Sequence, residues 1–152
     1  VSNLVERLIR AQKLPLVGRI AKEFLAILGV EFPASVKYGT GLNIVHRGVG
    51  VVITPFATIG NHVTIYHQVT LGRADSWVPI GSREFPGIAV GDHAVLCPGA
   101  KLLGSFDAPL KVGEGTVIGA NAVLTQSTGP WEIWAGAPAR KVGQRSDRGG
   151  AE

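Results

Sequence analysis

Residues 53–71 read ITPFATIGNHVTIYHQVTL, and an aliphatic side chain returns every sixth position: Ile53, Ile59, Ile65, Leu71. The same period runs through Tyr38 and Ile44 upstream. It resumes at Val90, Leu96 and Leu102, and again at Val112, Ile118 and Leu124. Half of these twelve positions are followed directly by glycine (Gly39, Gly60, Gly72, Gly91, Gly113, Gly119). Four residues after the repeat position the side chain is small or β-branched, as in Ala57, Val63, Val69, Ala94, Ala100 and Ala122. Neither a helical period of 3.6 nor a strand period of 2 fits this pattern alone. Each six-residue unit reads as a short β-branched strand plus a tight corner where glycine relieves steric conflict. Three units make one triangular coil, and stacked coils bury the repeat column as a continuous core.

Composition agrees. Of 152 residues, 45% are hydrophobic and 17% charged, so the chain is too apolar for disorder and long enough to bury a core. Its 21 glycines do not recur every third residue, which excludes collagen. A single cysteine, Cys97, excludes a disulfide framework and a cysteine-based zinc cluster. The longest uninterrupted apolar run, Phe24 to Val30, is too short for a bilayer, and no secretory signal precedes it. The expectation is a cytoplasmic protein with no integral membrane association. The charge balance, 15 Lys+Arg against 11 Asp+Glu, suits an anionic ligand as well as nucleic acid.

The period breaks in three places. Ile44 to Ile53 is three residues too long, Leu71 to Val90 makes residues 73–87 a protruding loop, and Leu102 to Val112 carries four extra. Insertions in a solenoid project from one face and often build its site. Ahead of the coils, Val17, Ile20, Ala21, Phe24, Leu25 and Leu28 keep helical spacing, closed by Gly29. Leu4, Val5 and Leu8 form a shorter set. The division expected is an N-terminal helical cap at 1–29, coils at 30–128, and a C-terminal segment with a polar tail at 129–152. Basic residues on the helices (Arg7, Arg10, Lys13, Arg19, Lys22) also allow a peripheral membrane contact. The plainer reading is a solvated face on helices that cover the open coil end.

Three stretches carry a family likeness: Val30 to Gly39 (VEFPASVKYG) followed by His46, Val69 to Gly72 (VTLG), and Ala135 to Gly143 (AGAPARKVG). Over roughly residues 24–144 the chain resembles the hexapeptide-repeat acyltransferase superfamily, in its serine acetyltransferase-like branch. The resemblance implies a mainly β fold, a left-handed parallel β-helix with short N-terminal helices and one long loop. It implies a homotrimer with sites between neighbouring chains, acetyl-CoA as acyl donor, no metal and no nucleic acid. In that branch the histidine at His46 is the catalytic base, and an acid at the position of Glu31, here one methylene longer than the family's Asp, orients it. The chemistry needs such a pair: an alcohol is a poor nucleophile at neutral pH, and an imidazole can take its proton as it attacks the thioester. The carboxylate fixes the tautomer, and a backbone N–H could hold the oxyanion. The resemblance also places Gly72, Gly99 and Ala120 along the pantetheine arm, with Arg140 and Lys141 at the CoA phosphates.

Counting through one coil puts His67 in the slot of His46 on the next rung, where it would line the acceptor or thioester pocket. Where the branch carries Arg-His-Pro, this chain has Glu84-Phe85-Pro86, with Arg83 one position away. Two acceptors follow. Phe85, with Trp77 and Ser82, suits the stacking and neutral hydrogen bonds of a sugar or glycan hydroxyl, whereas Arg83 could hold the carboxylate of L-serine. The glycan is the first expectation and serine the alternative. Two further readings stay open. His46, His62 and His67 could bind zinc, as three histidines do in γ-class carbonic anhydrases of the same fold, or the chain could be a trimeric scaffold. Cys97 and the pair Trp131 and Trp134 read as packing residues, and His93 as a solvated corner.

Overall fold

A computed structural model describes residues 3–79 and 81–146. Two helices come first, α1 (Leu4–Ala11) and α2 (Gly18–Ile27). Four triangular coils follow: β1 (Lys37–Tyr38), β2 (Asn43–Ile44) and β3 (Val52–Ile53); β4 (Ala57–Ile59), β5 (Thr64–Ile65) and β6 (Thr70–Arg73); β7 (Ile88–Val90), β8 (Val95–Leu96) and β9 (Lys101–Gly104); β10 (Leu110–Val112), β11 (Val117–Ile118) and β12 (Val123–Leu124). The strands stack in parallel as three sheets, β1-β4-β7-β10, β2-β5-β8-β11 and β3-β6-β9-β12. A closing hairpin, β13 (Glu132–Ala135) with antiparallel β14 (Arg140–Gln144), extends the second sheet.

Register explains the six-residue period. Ile44, Ile65, Leu96 and Ile118 pair in turn across one sheet, and Ile53, Leu71, Leu102 and Leu124 across another. All eight are essentially inaccessible, as are Val63, Val69, Ala94, Ala100 and Ala122 four residues after a repeat position. Each side of the prism thus sends one large and one small side chain inward. Burying each aliphatic contributes on the order of 2 kcal/mol.

The corners impose two separate constraints. The residue three places after the repeat position takes a left-handed backbone: His62, Gln68, His93 and Asn121 all have φ between 54° and 59°. Histidine and asparagine tolerate that region better than most residues, which accounts for two of the four histidines without any chemistry. The glycine directly after the repeat position is there for clearance. A Cβ on Gly91 would lie 2.7 Å from the Glu114 backbone nitrogen on the next rung.

The first coil exposes a strand edge, and α1 covers it. Asn3 and Glu6 form a capping box at the helix N-terminus. The same two side chains then satisfy Ile44, whose N–H donates to Glu6 Oε1 (3.0 Å) and whose carbonyl accepts from Asn3 Nδ2. An edge strand's unpaired groups are thereby closed to further pairing. At the other end Trp134 is buried in the core and donates from Nε1 to Glu132 (2.8 Å). Among the described residues no helix is long and apolar enough to cross a membrane.

Candidate active site

The three extra residues between β2 and β3 form a tight 3-10 turn over Val45–Gly48. Within it His46 and Arg47 are both left-handed, with φ 53° and 58°. Two successive non-glycine residues in that region carry strain, which the surrounding coils must hold. The turn pushes the exposed His46 out at the corner between the second and third sheets.

One rung along, the register Ile44 to Ile65 brings His67 beneath it. The two imidazoles meet edge to face, ring centroids 5.2 Å apart at 75°. Tyr66 lies 6.0 Å from His46 on the same side. The residue count along one coil locates His67. It also locates Tyr66, outward-facing after the inward Ile65, which the sequence reading passed over. Nδ1 of His67 is buried and has no hydrogen-bond partner among the described residues.

The same corner continues upward. The register carries the slot of His46 and His67, two residues past Ile44 and Ile65, on to Pro98 on the third rung and Ala120 on the fourth, with Gly99 following Pro98 at the same edge. Gly99 is left-handed, φ 72°. Gly72 stands apart from that edge on β6, where a Cβ would meet only Thr70 Cγ2, at 3.7 Å. Arg140 is exposed on β14, whereas Lys141 is tied to Glu132 by an ion pair (2.8 Å).

The remaining candidates lie elsewhere. Glu31 bridges to Val52 and is exposed, lining a groove of about 610 Å³ with Gln12, Lys22 and Phe32. Among the described residues, no hydrogen bond or ion pair joins Glu31 to His46. Arg83 is exposed on the loop between β6 and β7, at a different prism edge from His46. Phe85 corrects an expectation. It is only 6% exposed, packed edge to face between Phe56 (5.9 Å) and Phe106 (6.4 Å). Its ring anchors the loop in the core and offers no stacking face, because an apolar ring at a solenoid corner gains more from burial than from exposure. Trp77, 80% exposed, keeps an open ring on that loop.

His62 does not converge with His46 and His67. It sits at another corner, stacked on His93 (5.2 Å, 9°). Among the described residues no cluster of three histidine, cysteine or acidic side chains is placed to hold a metal. Burial pushes the Cys97 thiol up, which keeps it from being a ready nucleophile.

No protein-family model matches the chain. It is 40% identical over 130 residues to the serine acetyltransferase of Mycobacterium tuberculosis, covering 85% of this chain and 52% of that one. It is 35% identical over 150 residues to that of Staphylococcus aureus strain Mu50, covering 98% and 66%. Soybean serine acetyltransferase superposes with a TM-score of 0.72 at 29% identity, over 91% of this chain and 56% of that one. The chain belongs to the hexapeptide-repeat acyltransferase superfamily, in its serine acetyltransferase-like branch. It spans between half and two thirds of the length of these relatives. The coils are accordingly the left-handed parallel β-helix of that superfamily, an exception to the right-handed crossover rule.

Proposed function

We propose that the chain is an acetyl-CoA-dependent O-acetyltransferase whose acceptor is the hydroxyl of L-serine. The observation that carries the chemistry is His46, raised on a strained turn against His67 on the prism edge that continues through Pro98, Gly99 and Ala120. The acceptor rests on the comparisons: the relatives are serine acetyltransferases, and the soybean structure is described as complexed with serine. They favour serine over the glycan that the loop sequence suggested, and the burial of Phe85 removes the main argument for a sugar.

In the reaction His46 takes the hydroxyl proton as the serine oxygen attacks the thioester carbon. The tetrahedral intermediate collapses, the C–S bond breaks, and the protonated imidazole returns its proton to the departing CoA thiolate. Pantetheine runs along the edge past Gly99 and Ala120, with Gly72 open beside β6 and Arg140 and Lys141 nearest the phosphates. Glu31 orients His46, the role of the acid at its position in the branch that the chain resembles. Arg83 pairs with the serine carboxylate. His46 and Arg83 occupy different prism edges, so one chain's loop completes its neighbour's site. This makes the homotrimer the working unit.

Steady-state kinetics with L-serine and with a glycosyl alcohol tests the acceptor. L-serine is expected to give the higher kcat/KM. His46→Ala is expected to lower it by at least the roughly 10²-fold of a lost general base, with CoA binding retained. A faster sugar overturns the acceptor, and an unaffected His46→Ala overturns the mechanism.

A further inference from the structure

We infer that His67 is the side-chain hydrogen-bond donor to the carbonyl oxygen of the reacting acetyl group. The inference rests on the acetyl-transfer reading of His46.

The argument begins with the two nitrogens of one ring. Nδ1 of His67 is buried and unpartnered, while Nε2 is not buried. A buried N–H with no acceptor costs about 1–3 kcal/mol, and orphaned donors are rarer than under-used acceptors. The tautomer assigned on that ground carries its proton on Nε2 and leaves Nδ1 its lone pair. His67 is thus a donor through Nε2, whereas the exposed His46 is free to act as a base.

The second observation is the spacing. Ring centroids 5.2 Å apart, edge to face, put the two imidazoles next to each other on successive rungs of one edge. The attacking hydroxyl oxygen and the carbonyl oxygen share one tetrahedral carbon, so they too are close neighbours. One imidazole holds the first and its neighbour donates to the second. When the C–O bond forms, the carbonyl π pair moves onto oxygen and the Nε2–H bond strengthens there. When the C–S bond breaks, that pair returns, and the hydroxyl proton held by His46 passes to sulfur. Backbone donors beside His67 are already used, since the N–H groups of Tyr66 and Gln68 donate to Leu96 and Val49 carbonyls (3.0 and 2.8 Å).

Three variants test this. His67→Gln carries an amide N–H out to the reach of Nε2, His67→Asn stops at the reach of Nδ1, and His67→Phe keeps the ring without a donor. Thermal melts establish that each is folded. The Asn and Phe variants are expected to lose about 10²-fold in kcat with KM nearly unchanged, the signature of an interaction made in the transition state. The Gln variant is expected to recover most of that loss. Equal activity of the Gln and Asn variants overturns the proposal, as does full activity of His67→Phe. A loss confined to KM for the acceptor also overturns it, placing His67 on the acceptor's carboxylate instead. Acetyl-CoA hydrolysis without acceptor, followed by thiol release, gives the same comparison with water as nucleophile. Wild-type protein that hydrolyses acetyl-CoA but does not acetylate L-serine overturns the acceptor alone, and the order of the variants still decides His67. Wild-type protein inert in both assays overturns both readings.

Discussion

The ring of Phe85 lies so close over Gly104 that a methyl group on that glycine would sit 3.1 Å from two of its ring carbons. Phe85 is a loop residue and Gly104 ends β9 on the third coil, so this contact staples the long loop to the coil stack.

Phe85→Ala is therefore expected to cost about 3–5 kcal/mol, the usual range for emptying a buried phenylalanine site. Urea unfolding measures it, and Phe85→Leu should lose clearly less. A change below about 1 kcal/mol in the alanine variant would place the ring outside the core.

The clearance glycines yield a paired test. A Cβ on Gly91 would press on the backbone of Glu114, Gly113 and Val112, while one on Gly72 meets nothing closer than Thr70 Cγ2 at 3.7 Å. Gly91→Ala must force apart neighbouring rungs joined by the bond from the Gly91 N–H to the Val112 carbonyl (2.8 Å). It should cost about 1–3 kcal/mol or more. Gly72→Ala should leave the melting temperature within a degree or so of wild type, because an open site imposes no overpacking. Similar losses in both would contradict the assignment.

Acid should loosen the closing hairpin. The Lys141 ammonium, the Trp134 N–H and the Gly129 N–H hold the Glu132 carboxyl below the usual carboxylate range. A folded-state value below the unfolded one stabilises the fold above the ordinary carboxylate pKa. The contribution is lost as pH falls through the lower, folded value. Asp92, held down by two hydrogen bonds from Asn61, has the same sign at an exposed corner. Glu132→Gln should be less stable than wild type at neutral pH, with the gap closing below about pH 4. A gap that does not change with pH would assign the loss to packing alone.

Donor binding should divide unequally between the two basic residues of the hairpin. Lys141 is paired with Glu132, while Arg140 is exposed and, among the described residues, donates only to the Ala139 carbonyl (2.9 Å). Arg140→Ala should weaken CoA binding more than Lys141→Ala. The difference should grow at low salt, where phosphate contacts are least screened. Calorimetric titration at two ionic strengths reads this directly. Equal and unchanged affinities would leave both residues as solvated hairpin positions.

Much of the architecture is determined locally. Inward-facing positions repeat every six residues because one coil side is six residues long, so Ile53, Ile59, Ile65 and Leu71 mark the core without any long-range information. Counting in repeat units, not residues, places His67 next to His46, since each lies two residues past an inward position, Ile44 and Ile65, on successive coils. It fails at insertions. Nothing in the order of residues 73–87 says that Phe85 turns inward between Phe56 and Phe106, because a protruding loop has no period to read.

Sequence alone thus determined the coils, the His46 and His67 ladder and the superfamily, since each follows from spacing along the chain or from short motifs. Only the tertiary structure decided which nitrogen of His67 is buried, where Phe85 points, that Lys141 is paired, and that His62 belongs to a different corner from His46. These depend on contacts between residues far apart in sequence. Burial and pairing free energies across the fold set them, and no local pattern encodes those energies.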